Sequence, residues 1–173
     1  MSEIIRYSWG KSSLGDFIVA TSDKGVVVFE FAHTGNCAEC EIGDLVPDAT
    51  LVRDDEGLAG LVDKLTAIVE HPDQDSNIPL DPRGSDFEKR VWTLLRDVPA
   101  GYTTNYGQIS TMAGTGNDAR EVTKAISANR IAILIPCHRI LKKDGSISGY
   151  RWGVSRKREL LKREENAGEF VFV

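Results

Sequence analysis

Cys137 and His138 stand side by side, directly after Pro136 and an apolar run, Ile131-Ala132-Ile133-Leu134-Ile135. A thiol beside an imidazole is a candidate nucleophile with its base, because a nearby base or positive charge favours the reactive thiolate. Buried thiols without such neighbours are inert packing. The apolar run reads as a buried strand that Pro136 stops, so the thiol is expected at a strand end. Adjacent side chains on an extended backbone point to opposite faces, so joining Cys137 to His138 requires a turn or a bridging water. The base needs an orienter in turn. Two acids follow: Asp144, in an Asp-Gly hairpin turn and expected to be solvated, and Glu164, which follows a helix and can return to the site.

A second cluster, His33-x3-Cys37-x2-Cys40, has the spacing of part of a zinc site, with His71 or a carboxylate needed as fourth ligand. Loop thiols are the simpler reading, and no metal or other cofactor is expected. Three cysteines, an odd number, fit a reducing compartment better than a disulfide framework.

The elements that must position these groups fall into two segments. Residues 6–9, 17–20 and 25–31 are short runs of Val, Ile and aromatics separated by turns, which predicts a meander sheet. Residues 32–54 are polar and acidic and read as loop. Leu58, Leu61, Val62, Leu65 and Ile68 predict an amphipathic helix over 55–70, capped by Asp54 or Asp55 and ended by His71-Pro72. Residues 72–84, with three prolines, read as a linker, which sets domains at 1–80 and 81–173. The second segment opens on a capping box, Ser85-Asp86-Phe87-Glu88. Thr104 is expected to cap a second helix closed by Gly114, and Gly116-Asn117-Asp118 a third. Two short helices joined by a Gly-bearing turn resemble a helix-turn-helix, whose second helix enters a DNA groove. Ser155 is expected to cap a last helix, and residues 169–173 form a strand-like tail with no assignable partner.

Charge separates the same two segments. Residues 1–86 carry 6 Lys+Arg against 17 Asp+Glu, and residues 87–173 carry 15 against 9, within a net charge of −5. A basic second half suggests a polyanionic partner for that half. No apolar run approaches the roughly 20 residues of a membrane helix. The start lacks the apolar core of a signal peptide, so a cytoplasmic protein is expected.

Pro136-Cys137-His138-Arg139, followed by Gly145, Ser148-Gly149-Tyr150, Gly153 and Leu160-Leu161-x2-Glu164, closely resembles the methylated-DNA–protein-cysteine methyltransferases, or O6-alkylguanine-DNA alkyltransferases. Phe87-x3-Val91-Trp92-x2-Leu95, Val98-Pro99-x-Gly101, Tyr106, Gly116, Arg120, Val122, Ala125 and Asn129 extend the match over about residues 80–166. The first half is similar to the variable amino-terminal domain of the bacterial Ada alkyltransferases. The resemblance implies an α/β protein of two domains: a small ribonuclease-H-like sheet with a helix, then a helical domain with a winged-helix-like helix-turn-helix. It implies DNA repair by direct reversal, in which the alkyl group of O6-alkylguanine, and of O4-alkylthymine, passes once to a cysteine from a flipped base.

The roles it implies are these. Cys137 is the acceptor, His138 the base acting through water, and Glu164 the carboxylate holding His138. Asn129 is the hinge between recognition helix and reactive strand. Tyr106 helps rotate the nucleotide and protonates the departing guanine, and Arg120 fills the gap in the base stack. Thr104, Ala119, Thr123, Lys124 and Arg139 are expected on the DNA-binding surface. Pro136, Ser148, Gly149, Tyr150 and Trp92 are expected in the alkylguanine pocket. The implied partner is double-stranded DNA, gripped through its minor groove by a monomer, in the cytoplasm or in a eukaryotic nucleus. One departure is Glu121, where the family has a small apolar residue. An added anion there weakens the approach to DNA, and Lys124, on the same side of the helix, offsets part of it. The competing classes are a lesion-flagging DNA binder that has lost transfer and a cysteine hydrolase that turns over. No phosphotriester-repair module precedes the sequence, so methyl-switched activation is not expected.

Overall fold

Strands β1 (Ile4–Gly10), β2 (Phe17–Thr21) and β3 (Val26–Phe31) form the antiparallel meander that the short apolar runs predict. The computed structural model describes residues 2–32, 37–74, 76–115, 119–165, 168–170 and 172. Successive residues of a strand face opposite sides of a sheet. On β2, Phe17 and Val19 accordingly join one apolar cluster, while Ile18 and Ala20 join another. Both faces of this strand are therefore covered, which is why it reads as a continuous apolar run.

The polar stretch 32–54 is not all loop. It holds helix α1 (Ala38–Leu45) and strand β4 (Thr50–Arg53), which pairs parallel with β1 to give the order β3-β2-β1-β4. Both were hidden for the same reason: α1 buries only Ile42, and β4 has no fully buried residue. Helix α2 (Ala59–Glu70) starts later than the periodicity suggests. Asp54 closes the preceding turn by accepting from the Gly57 N–H, and Leu58 stands at the helix start without a side-chain cap.

Residues 79–81 run beside β3. The Val26 N–H donates to Pro79 O at 2.9 Å, and the Asp81 N–H donates to Val26 O at 2.7 Å. One apolar cluster contains Phe29 and Leu65 together with Trp92, Leu95, Ile109 and Ile131.

Helix α3 (Asp86–Arg96) begins with the expected capping box. Strand β5 (Tyr102–Asn105) leads into α4 (Tyr106–Ala113), which Gly114 ends at φ 86°. The cap of α4 is Asn105, whose side chain accepts from the Gln108 N–H at 2.9 Å. Thr104, expected there, is instead buried in β5 with its hydroxyl on Gln108 Oε1. Helix α5 (Ala119–Ser127) packs against α3 and α4; the expected cap at 116–118 lies outside the described residues. Strands β6 (Ile140–Leu141) and β7 (Gly168–Glu169) flank β5, both parallel to it. The tail thus docks through β5, and the Phe170 N–H donates to Thr103 O. The Asp-Gly turn forms with Gly145 at φ 84°, but no strand returns from it. Helix α6 (Val154–Arg163) starts after Gly153, so Ser155 sits inside its first turn rather than capping it. Among the described residues no helix is long and apolar enough to cross a membrane.

Two glycines should respond with opposite signs. Gly25 has φ 155°, and a Cβ there would collide with the Pro79 carbonyl, whereas Gly60 in α2 has open space. In urea titrations Gly25→Ala should lose more than about 1 kcal/mol, and Gly60→Ala should gain up to about 1 kcal/mol.

Candidate active site

The run before Cys137 is a buried turn, not a strand. Ile131 makes a single bridge to Phe29, through Phe29 N–H to Arg130 O and Ala132 N–H to Phe29 O. The chain then folds back on itself, with Leu134 N–H on Ala132 O and Ile133 at φ 66°. It ends in a 3₁₀ turn over Cys137–Arg139. Length and apolarity could not separate a buried strand from a buried turn. What separates them is Asn129. Its Oδ1 accepts from Ile131 N–H at 2.9 Å, and its Nδ2 donates to Ile131 O at 3.1 Å and Ile135 O at 3.2 Å. One side-chain amide thus stands in for a neighbouring strand. A left-handed, β-branched Ile133 is costly and persists only where surroundings hold it; here it is buried.

Asn129 Nδ2 also donates to Cys137 Sγ at 3.3 Å. The thiol is 3% exposed. Burial pushes its pKa up to about 11, opposed by the Asn129 hydrogen bond and the Lys157 charge. In the resting protein the sulfur is therefore a thiol, and it must lose its proton before it can act as a nucleophile.

His138 is fully buried with Nε2 2.7 Å from Glu164 Oε1. Burial holds the imidazole below its ordinary pKa despite that carboxylate. Burial alone would raise the Glu164 carboxyl, but His138 and Arg139 together hold it below the usual range. An ionised carboxylate only accepts, so Nε2 carries the hydrogen and Nδ1 is the basic nitrogen. His138 Nδ1 has no hydrogen-bond partner among the described residues.

Arg139 was expected on a DNA-binding surface and is not exposed. It is buried and gives Nε and Nη2 to Glu164, Nη2 at 2.7 Å, and Nη1 to Val98 O at 2.8 Å. Its work is to neutralise Glu164. Buried Thr104 is likewise withdrawn from any surface.

A cavity of 330 Å³ opens over Cys137, lined by Tyr106, Thr123, Ile126, Ser127, Gly149, Tyr150 and Arg151. Two expected pocket residues are elsewhere. Trp92 is core, its indole N–H donating to Ala125 O at 2.8 Å and so tying α3 to α5. Pro136 lines a different depression with Leu134, Val98 and Arg139. Ser148 is buried beside the cavity and shares a 2.7 Å hydrogen bond with the Tyr106 hydroxyl.

Lys157 was missed by sequence reasoning. It is fully buried, donating to Ser148 Oγ at 2.8 Å and to Gly149 O at 3.4 Å. Burial lowers its pKa to about 8. The signal was available in spacing: Lys157, Leu160, Leu161 and Glu164 fall at i, i+3, i+4 and i+7, one stripe of α6. A chain of polar groups thus runs Lys157–Ser148–Tyr106 to the cavity. Burial also raises the Tyr106 phenol, keeping it protonated.

On α5, Arg120, Thr123 and Lys124 are exposed and Ala119 is half-buried. Lys124 Nζ lies 3.6 Å from Glu121, as their spacing implies. Cys37 and Cys40 form a disulfide at the start of α1, with Cα atoms 5.2 Å apart. This corrects the expectations for them: they are paired, against the reading that an odd cysteine count disfavours disulfides, and they are neither loop thiols nor thiolate ligands for zinc. His33 lies outside the described residues.

Arg139→Met tests the reassignment of that residue. It should leave Glu164 buried without its counter-charge and cost about 3 kcal/mol in urea unfolding. DNA affinity of the folded fraction should stay unchanged, whereas loss of a phosphate contact would lower it together with its salt slope.

Comparison with known proteins places the chain among relatives. A family model described as "6-O-methylguanine DNA methyltransferase, DNA binding domain" matches residues 86–166. The chain is 37% identical over 160 residues to the bifunctional transcriptional activator/DNA repair enzyme Ada of Escherichia coli, covering 92% of this chain. It spans about half the length of the Ada relatives it matches, 45% of that protein and 47% of the Salmonella typhimurium regulatory protein ada. It is 40% identical over 121 residues to the Mycobacterium tuberculosis methylated-DNA–protein-cysteine methyltransferase, covering 69% of this chain and 73% of that one. The crystal structure of M. tuberculosis OGT in complex with DNA aligns with a TM-score of 0.76 at 29% identity, over 96% of this chain and 95% of the other. A relative this similar, matched over most of its length, places the chain in the methylated-DNA–protein-cysteine methyltransferase family.

Proposed function

We propose that this chain repairs DNA by moving the alkyl group of O6-alkylguanine, and of O4-alkylthymine, onto Cys137 once per molecule. The observation that carries the reading is the Cys137 thiol lining a cavity edged by α5, followed directly in sequence by a buried His138 that Glu164 holds through Nε2. The Cys137 proton passes through water to His138 Nδ1, and Glu164 stabilises the imidazolium that forms. Sulfur then attacks the alkyl carbon, and the C–O6 bond breaks with its electron pair going to guanine. Tyr106 gives the guanine anion a proton, and Lys157 replaces it through Ser148. The product is a thioether, a poor leaving group, so the protein is consumed.

O6 of a stacked guanine cannot reach a buried sulfur, so the base must leave the duplex at a cost of a few kcal/mol. In this reading α4 and α5 are the helix-turn-helix, α5 lies in the minor groove, and Arg120 fills the vacated stack. Thr123 and Lys124 sit on the same exposed face, with Glu121 partly cancelling Lys124. The relative solved with DNA supports the partner. We assign residues 1–80 as a ribonuclease-H-like domain and 81–173 as a winged-helix-like one, working as a cytoplasmic monomer.

Mass spectrometry after mixing with an O6-methylguanine oligonucleotide tests the reading: one methyl on the peptide containing Cys137 is expected, and an unmodified peptide contradicts it. The pH dependence follows from the buried groups. His138 titrates below 6.5 and Lys157 at about 8. Single-turnover rates should therefore rise with pH through a midpoint below that of a free imidazole and fall as pH passes about 8. In Lys157→Met the alkaline fall should vanish, with a lower rate throughout.

A further inference from the structure

Glu30 is the single acid in β3, whose other residues are Val and Phe, and it is 6% exposed. A carboxylate in such a strand needs compensating partners. Glu30 finds them in the other half of the chain. Arg151 Nε donates to its Oε1 at 2.9 Å, and Arg130 Nη1 lies 3.5 Å from its Oε2. Arg151 Nη1 also donates to Ser127 O at 3.1 Å, at the last residue of α5. One guanidinium therefore ties β3, the end of α5 and the loop over Cys137. The same residue lines the Cys137 cavity, and its side chain keeps 30% of its surface exposed.

A guanidinium carries five N–H groups. Two of them are used here, and Nη2 has no hydrogen-bond partner among the described residues. A nucleotide whose base fills the cavity holds its phosphates at the rim, because the sugar is too short to carry them further. Paired N–H groups on a planar cation match phosphate oxygens, and such contacts set register on the nucleic acid. We propose that Arg151 binds a backbone phosphate flanking the everted nucleotide, and that Glu30 is the positioning residue that fixes it before DNA arrives. This rests on the alkyl-transfer reading above. Glu30, Arg151, Arg130 and Glu41, which lies 3.5 Å from Arg130, balance in charge. The contribution is therefore a directed contact rather than a long-range field. A long side chain held in place beforehand loses less freedom on binding.

The test is a cycle between protein and DNA. Wild type, Arg151→Met and Glu30→Gln are each reacted, at subsaturating DNA, with an O6-methylguanine duplex. In matched duplexes one phosphate beside the lesion, on either side, is replaced by a neutral methylphosphonate. Wild type should slow about tenfold on one of the two neutral duplexes, the size of a lost charge-assisted hydrogen bond. Arg151→Met should be slowed about as much on natural DNA, be indifferent to that methylphosphonate, and show a salt slope lower by about one. Glu30→Gln should lie between them, with the same non-additivity. Losses that multiply, or no loss in Arg151→Met, overturn the proposal. Equal slowing of Arg151→Met on every duplex, with an unchanged salt slope, would mean that Arg151 only shapes the cavity and would overturn it too. Failure of wild type to methylate Cys137 on natural DNA would instead sink the transfer reading, and this one with it.

Discussion

The side-chain amide of Asn129 is the contact on which the reactive centre depends. Residues 131–137 leave the sheet after one bridge and all but half-buried Leu134 are buried, so their backbone groups must find partners elsewhere. Asn129 supplies them on both sides of the turn and reaches the sulfur with the same amide. Each such bond is worth only about 1 kcal/mol net, but leaving a buried partner unmet costs about 1–3 kcal/mol. The turn and the position of the thiol are therefore set together. Because Asn129 directly follows α5 and its short C-terminal turn, the helix assigned to DNA and the reacting sulfur share one rigid joint.

Around that joint the chain buries more charge than a structural core would keep. His138, Arg139, Lys157 and Glu164 are all nearly inaccessible, yet each has a partner that defines its state. Arg139 neutralises Glu164, which lets Glu164 stay ionised and hold His138 by Nε2. Lys157 is joined to Tyr106 through Ser148. On the proposed reading, His138 with Glu164 serves the base half of the reaction and Tyr106 with Ser148 and Lys157 the acid half. Paired titratable groups held in different environments are how one site runs both halves of proton transfer.

Much of this was legible in the amino-acid order. The meander, the capping box at Ser85 and the helix stop at Gly114 all follow from local rules, because each depends on neighbours in sequence. The misreadings have different causes, and only some of the deciding partners lie far along the chain. Residues 131–135 look like a strand until Asn129 is seen to take the ladder's place. Arg139 looks like a surface cation until Glu164 and Val98 close around it. Lys157 shares the apolar stripe of α6, yet a lysine there gives no sign in sequence of the buried partners that hold it. α1 and β4 carry too few buried residues for any periodicity to register. Glu30 inside β3 is the reverse case, an anomaly visible in sequence whose partners only the fold reveals.

On the proposed reading, a sulfur that keeps the carbon it accepts makes the protein a reagent rather than a catalyst. Counting lesions cleared per molecule tests that directly, with methylated duplex in large excess and Cys137→Ser as the companion. The account predicts a burst that stops at one lesion per folded molecule for the native chain, and no removal by the serine variant. Continued clearance beyond one equivalent, or removal by Cys137→Ser, would contradict it.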